Sequence, residues 1–211
     1  MTARTSSIST FSAIARENFE QLKLNEIQTQ KLRSKIAKTK SDDNILGLEF
    51  KLSNLREKTS RCAAITIIFS AIAIEAHIYD YAARHFSDSF VKDYLDKLDP
   101  VSKWVIIPRL VTGKELPRKH KWFNLLKNLI KERNSIIHSK SSEPPSSPTP
   151  EKIKDYLRKL NDSEPNTVNI AKQSIQLLDL LIREISKIDP EETPWIKGHL
   201  SSGTSNLSEA K

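Results

Sequence analysis

Arg133, Asn134 and His138 lie within one hexapeptide, Arg-Asn-Ser-Ile-Ile-His, at the end of a helically periodic stretch. They supply a fixed positive charge, a carboxamide and a titratable imidazole within about two helical turns. Such groups can hold a phosphodiester and move its protons. In RNA the nucleophile is already present as the 2′-hydroxyl. Cleavage then needs a base for that hydroxyl, an acid for the leaving 5′-oxygen and a cation on the phosphate. Imidazole can serve in either proton-transfer role near neutral pH. A guanidinium can clamp the phosphate through two parallel hydrogen bonds and stay charged throughout. No metal is required. Of the five histidines only His138 has an arginine at this short upstream spacing; His77, His85, His120 and His199 do not.

Each of these residues also has a plainer reading. On a straight helix positions 133 and 138 are about 140° apart, whereas 134 and 138 share a face. Arg133 can be a surface cation favoured by a helix C-terminus, and His138 a C-terminal cap. Asn134 can bond a neighbouring backbone group as readily as it orients His138. Glu75, in Ala-Ile-Ala-Ile-Glu-Ala-His, follows the most apolar run of the chain. A carboxylate there is costly to bury unpaired. It can pair with Arg133, hold His138 or reach solvent, and a structural role outranks a chemical one. Asp80 and Tyr79 are weaker neighbours. The connection 113–121 carries Lys114, Arg118, Lys119, His120 and Lys121. It is either a solvated loop or a phosphate-binding strip. Trp122 fits a core better than a base-stacking platform.

The elements that must position these groups are all helices. Residues 9–39 form an amphipathic helix with Phe11, Ile14, Phe19 and Leu22 on its apolar face, and Ser-Asp-Asp-Asn at 41–44 is a turn and cap region. A second helix over 45–84 has apolar positions at alternating three- and four-residue spacing, which predicts a long antiparallel pairing with the first. Thr59, Thr66 and Asp80 interrupt that seam and weigh against a homomeric coiled coil. Around Ile65, Ile67, Ile68, Ile72 and Ile74 the helix is apolar on every side, which predicts the centre of a bundle. Ser87 caps a short helix through Asp-Ser-Phe-Val-Lys-Asp-Tyr-Leu-Asp-Lys-Leu, and a segment at 101–110 is interrupted by Pro108. The helix with the hexapeptide spans 117–138. A Ser/Pro-rich connection at 139–150 should be mobile. A short helix from Thr149-Pro150-Glu151 to 160 and a last helix near 165–188 follow. The latter carries Val168, Ala171, Ile175, Leu178, Ile182 and Ile185 on one face. Residues from 189 on read as a tail, with Trp195 docking locally.

Composition bounds the function classes. The chain has 211 residues, enough for one medium domain with tails. Hydrophobic residues make up 37%, below the roughly 45–50% of globular chains, so part of it is exposed. A net charge of +8 favours a polyanionic partner such as nucleic acid. The single Cys62 excludes an intrachain disulfide and a Cys-rich zinc site, which fits a reducing cytoplasm. The polar N-terminus shows no secretory signal. The longest apolar run, 62–74, falls short of the roughly 20 residues that span a bilayer. No Walker loop, zinc spacing or GxSxG elbow is present, and four glycines leave little material for a phosphate-cradling loop.

The hexapeptide resembles the signature of the HEPN superfamily, an Arg followed at short spacing by His and often by an immediate Asn. The apolar lead-in Trp122, Leu125, Leu126, Leu129 and Ile130 and the acidic Glu75 of an earlier helix add to the likeness. The resemblance spans about residues 45–188. It implies an all-α, HEPN-like helical bundle, here with a long N-terminal helical hairpin, and a metal-independent endoribonuclease leaving a 2′,3′-cyclic phosphate. Arg133, His138, Asn134 and Glu75 would be the catalytic set, and Lys114, Arg118, Lys119 and Lys121 would bind RNA, with no metal and no cofactor. It also implies a homodimer with facing signature helices, and a toxin or anti-phage effector controlled by an antitoxin or defence-system protein. The expected organisation is an N-terminal helix at 1–44, the bundle at 45–188 and a flexible tail at 189–211. The location would be cytoplasmic, with no membrane contact. The alternatives are a non-catalytic HEPN nucleotide- or RNA-binding module and a helical adaptor in which the hexapeptide is fortuitous. The Pro-rich insertion directly after His138 departs from the family pattern and could gate the site.

Overall fold

A computed structural model describes residues 7–138 and 149–192; for Asp42, 150–165 and Glu192 it describes the backbone alone. The connection 139–148 and the end of the chain from 193, including Trp195, lie outside the described residues. Among the described residues there are six α-helices, α1 Ile8–Lys38, α2 Asp42–His85, α3 Asp88–Phe90, α4 Pro100–Thr112, α5 Lys121–Ile137 and α6 Pro150–Ile188. A π-helical stretch at Val91–Leu95 continues α3, and a short 3-10 turn at Pro190–Glu192 follows α6. Among the described residues there is no strand. The protein is all-α.

The central element is α2. Ala63, Ile67, Ala71, Ala73, Ile74, Ile78 and Ala82 are buried on it, so neighbours approach from several sides, and the alanines let them come close. α1 runs antiparallel along it: Asn25 Nδ2 lies 3.9 Å from Cys62 Sγ, Thr66 meets the carbonyl of Ala15, and Phe11 packs on Phe69. The two threonines in the seam are accommodated locally. Thr59 and Thr66 each donate to the carbonyl four residues back, at 2.8 Å, so neither hydroxyl is left unsatisfied. Residue 44, the expected boundary, lies in the first turn of α2, just past the hairpin turn at 39–41, and α1 contributes Ile8 and Leu22 to the same core as the rest.

α6 runs parallel to α2, with Ser174 beside Ser70 and Asp189 accepting from the Tyr81 hydroxyl at 2.9 Å. It runs antiparallel to α1, through Lys172–Glu26 at 2.8 Å and Arg16–Asp179 at 3.6 Å. On the far side of α2, Trp104 of α4 lies nearly parallel to His77 at 5.8 Å, and α5 buries Trp122, Leu126 and Leu129.

Four sequence expectations change. The helix of the hexapeptide begins at Lys121 rather than 117, because the carbonyl of Pro117 accepts from His120 N–H in a turn. Pro108 does not interrupt α4. The lost hydrogen bond costs about 3 kcal/mol, and burying Trp104 and Ile107 on the same helix outweighs it. α4 stops instead at Gly113, whose φ of 72° is the left-handed conformation that glycine adopts without penalty. α6 is one helix, Pro150–Ile188, which runs through Pro165. Asp189 belongs to the core, 7% exposed, and not to a tail.

The apolar run 62–74 is also part of a longer stretch. α2 is long and apolar enough to cross a membrane by length and composition, with an 18-residue window of mean hydropathy 1.8, half of which is buried inside the bundle. Ser87 caps as expected, accepting from Phe90 N–H at 3.2 Å.

Candidate functional site

The hexapeptide closes α5. Arg133 lies just before its last turn and is drawn inward, its side chain 23% exposed. Its Nη2 lies 3.6 Å from Glu75 Oε2 on α2, while its buried Nε has no hydrogen-bond partner. Asn134 and His138 are both exposed and, being four residues apart, stand on one face. His138 occupies the C-cap, with its backbone N–H donating to the carbonyl of Asn134 at 2.9 Å. Its imidazole has no hydrogen bond or ion pair with any described residue, so it neither caps a carbonyl nor touches Glu75. The structure thus joins Arg133 to Glu75 and leaves His138 with Asn134 on the surface. The angular separation on the helix is the reason.

Glu75 is shared. Its Oε1 accepts from Lys103 Nζ of α4 at 3.0 Å, and Lys103 also reaches Asp96 Oδ1 at 2.8 Å. Lys103 is 2% exposed. Burial alone would push its ammonium down; hydrogen bonds and charges from Asp96 and Glu75 outweigh that and hold it above the usual lysine range. The result is an ionic chain, Asp96–Lys103–Glu75–Arg133, whose carboxylates open to solvent and whose lysine does not. The chain orients Glu75 and, through it, the Arg133 guanidinium.

Sequence reasoning missed Lys103 and Asp96. A signal was available: Lys103 is the one cation inside Val-Ser-Lys-Trp-Val-Ile-Ile, and a lysine in such a helix demands a carboxylate.

The basic connection lies elsewhere. Lys114, Arg118, Lys119 and Lys121 are all exposed. Buried Leu116 and Trp122 pin the segment at either side, and Trp122 is core as expected. Arg118 lies 3.4 Å from Glu115, which Arg109 also pairs, so its charge is partly spent; the three lysines have no ion pair among the described residues. The segment precedes α5, whereas the hexapeptide ends it. By helix rise, Lys121 and Arg133 are about 18 Å apart and Lys121 and His138 about 25 Å. The two groups do not form one cluster.

Among the described residues no group of three or more His, Cys, Asp or Glu is placed to hold a metal ion. Comparison with protein-family models, curated proteins and solved structures gives no match.

Proposed function

We propose that this all-α protein is a HEPN-type, metal-independent endoribonuclease of the cytoplasm, acting as a toxin or anti-phage effector. The observation that carries the reading is the arrangement at the end of α5. Arg133 is oriented by Glu75 and stays part-exposed, with Asn134 and His138 exposed within five residues of it. In the proposed reaction the RNA 2′-hydroxyl gives up its proton and attacks phosphorus. The bond to the 5′-oxygen breaks, and that oxygen takes a proton. The products are a 2′,3′-cyclic phosphate and a 5′-hydroxyl. Arg133 neutralises the charge that builds on the phosphate, and His138 moves a proton at one of the two oxygens. Glu75 acts by holding Arg133.

One chain offers one imidazole, and the reaction benefits from two proton-transfer groups. A two-fold pairing of α5 ends would supply the second, and Ile137, 51% exposed between the polar groups, is an apolar contact point for it. An antitoxin or defence-system protein would control such an effector. RNA that engages both the hexapeptide and the lysines of 114–121 must run along α5 for roughly 20 Å.

The test is cleavage of RNA in chelator. The parent should cleave, His138→Ala should lose activity, and Arg133→Ala should fall by about a hundredfold or more. Activity that disappears in chelator and returns with magnesium overturns the mechanism.

A second reading, a non-catalytic HEPN nucleotide- or RNA-binding module or helical adaptor, is favoured by one observation. No described residue orients the His138 imidazole. It is chosen if the folded parent binds RNA without cutting it.

A further inference from the structure

We propose that the groove between α1, α2 and α6 is an anion site that takes a phosphoryl group between Arg33 and Arg56. The groove has a volume of about 220 Å³ and is lined on α1 by Glu26, Thr29, Gln30 and Arg33. On α2 it is lined by Arg56, Thr59 and Ser60, and α6 closes it with Thr167 and Val168. Its lining includes no residue of α5, although Thr167 donates to Glu132, beside Arg133, at 2.6 Å; the inference stands whether or not that end cleaves RNA.

Three observations define what the groove would hold. First, the register brings the two arginines together. Asn25 lies against Cys62; counting eight residues on along α1 and eight back along α2 sets Arg33 opposite position 54. Arg56 is two residues from that level, about 3 Å by helix rise. Second, both guanidiniums are uncommitted, having no ion pair or hydrogen bond among the described residues. Among the described lining residues the one carboxylate, Glu26, is paired with Lys172 at 2.8 Å, and the lining Thr167 donates to Glu132 at 2.6 Å. The described lining residues therefore carry a net positive charge. Two planar guanidiniums facing one pocket suit an oxyanion that accepts several hydrogen bonds at once. Third, the polarity is graded. The arginines stand at one end and Glu26 lies toward the other, about 10 Å from Arg33 by helix rise. Ser60, Thr29 and Gln30 add side-chain donors between them.

The volume is below the roughly 300–1,000 Å³ of pockets that enclose a drug-sized ligand. It fits a phosphoryl group with part of what carries it. A nucleotide would place its phosphate at the arginines and its sugar toward Glu26. An RNA strand would place one backbone phosphate there. The chemistry is shared, and the test separates the two.

The probe is adenosine 5′-monophosphate, with adenosine as the uncharged control, titrated calorimetrically into the full chain. The nucleotide should bind and adenosine should not. Arg33→Gln and Arg56→Gln should each weaken binding, and together they should weaken it at least tenfold with the helical circular dichroism unchanged. Lys31→Gln with Lys35→Gln removes the same charge from another face of α1 and should leave affinity within twofold. A single-stranded oligonucleotide that displaces the nucleotide assigns the groove to backbone phosphate; failure to displace it assigns the groove to a free nucleotide. Equal affinity in the parent and the double arginine variant overturns the proposal, as does an equal loss in the lysine control.

Discussion

Removing Glu75 and Asp96 together should cost far more than the two single losses added. Lys103 is 2% exposed, and its ionic partners among the described residues are these two carboxylates, at 2.8 and 3.0 Å. The carboxylates themselves are 36% and 50% exposed, so each pairing is screened by solvent. Glu75→Ala or Asp96→Ala leaves the ammonium one partner and should cost about 1 kcal/mol. The double variant leaves a buried ammonium with none, which costs about 3–5 kcal/mol. The expected coupling is therefore about 1–3 kcal/mol, well above the 0.3–0.5 kcal/mol scatter of independent sites. Adding Lys103→Met to the double variant removes the stranded charge and should restore most of the loss. Urea unfolding followed by helical circular dichroism at neutral pH measures all four proteins. Strict additivity, or a triple variant no more stable than the double, refutes the reasoning, because Lys103 would then have another route to solvent. The pH dependence has a definite sign. The folded pKa of Lys103 lies above its ordinary 10.5. Its contribution is fully present below that value and is lost as pH rises through the higher folded value.

Other outcomes follow from single contacts. Asp99 caps α4 by accepting from Val101 and Ser102 N–H, and Asp99→Ala should cost about 1 kcal/mol in the same unfolding assay. The bond from the Ser102 hydroxyl, together with the backbone bonds and against burial, holds the Asp99 carboxyl below its ordinary 3.8. The cap's contribution is therefore present above 3.8 and lost as pH falls through the lower folded value. Burial pushes the Cys62 thiol up, with nearby Arg61 opposing it. Alkylation in the folded protein at neutral pH should be slower than in urea, and equal rates would contradict the half-buried position. If RNA crosses the loop before α5, neutralising Lys114, Arg118, Lys119 and Lys121 should reduce the slope of log affinity against log salt by up to about 0.7 per lost phosphate contact. An unchanged slope in filter binding would show that the loop only faces solvent.

What the sequence determines by itself is local. The alternating three- and four-residue spacing of α2 and the cap at Ser87 are properties of contiguous residues, and both are present in the fold; of the face expected on α1 only Leu22 is fully buried, with Ile8, Ala15 and Asn25, while Phe11, Ile14 and Phe19 are half-buried. The burial of Trp122 follows from the same periodicity, and that of Ile67 and Ile74 from the stretch that is apolar on every side, in which Ile65, Ile68 and Ile72 are half-buried. Pro108 reads as an interruption because its cost is local, and it is overridden because the compensating burial of Trp104 and Ile107 is not. The candidate residues on α5 are legible as types and spacing. Their partners are not. Which carboxylate meets Arg133 depends on the faces that α2 and α5 present to each other, 58 positions apart along the chain. Lys103 shares Glu75 only because α4 crosses the same level of α2. Arg33 and Arg56 become neighbours only through the register of the hairpin. In each case charge and side-chain type are written in the chain. The tertiary packing decides which charges lie within a few ångströms of one another, and Coulomb energy and desolvation depend on that distance and on the surrounding medium.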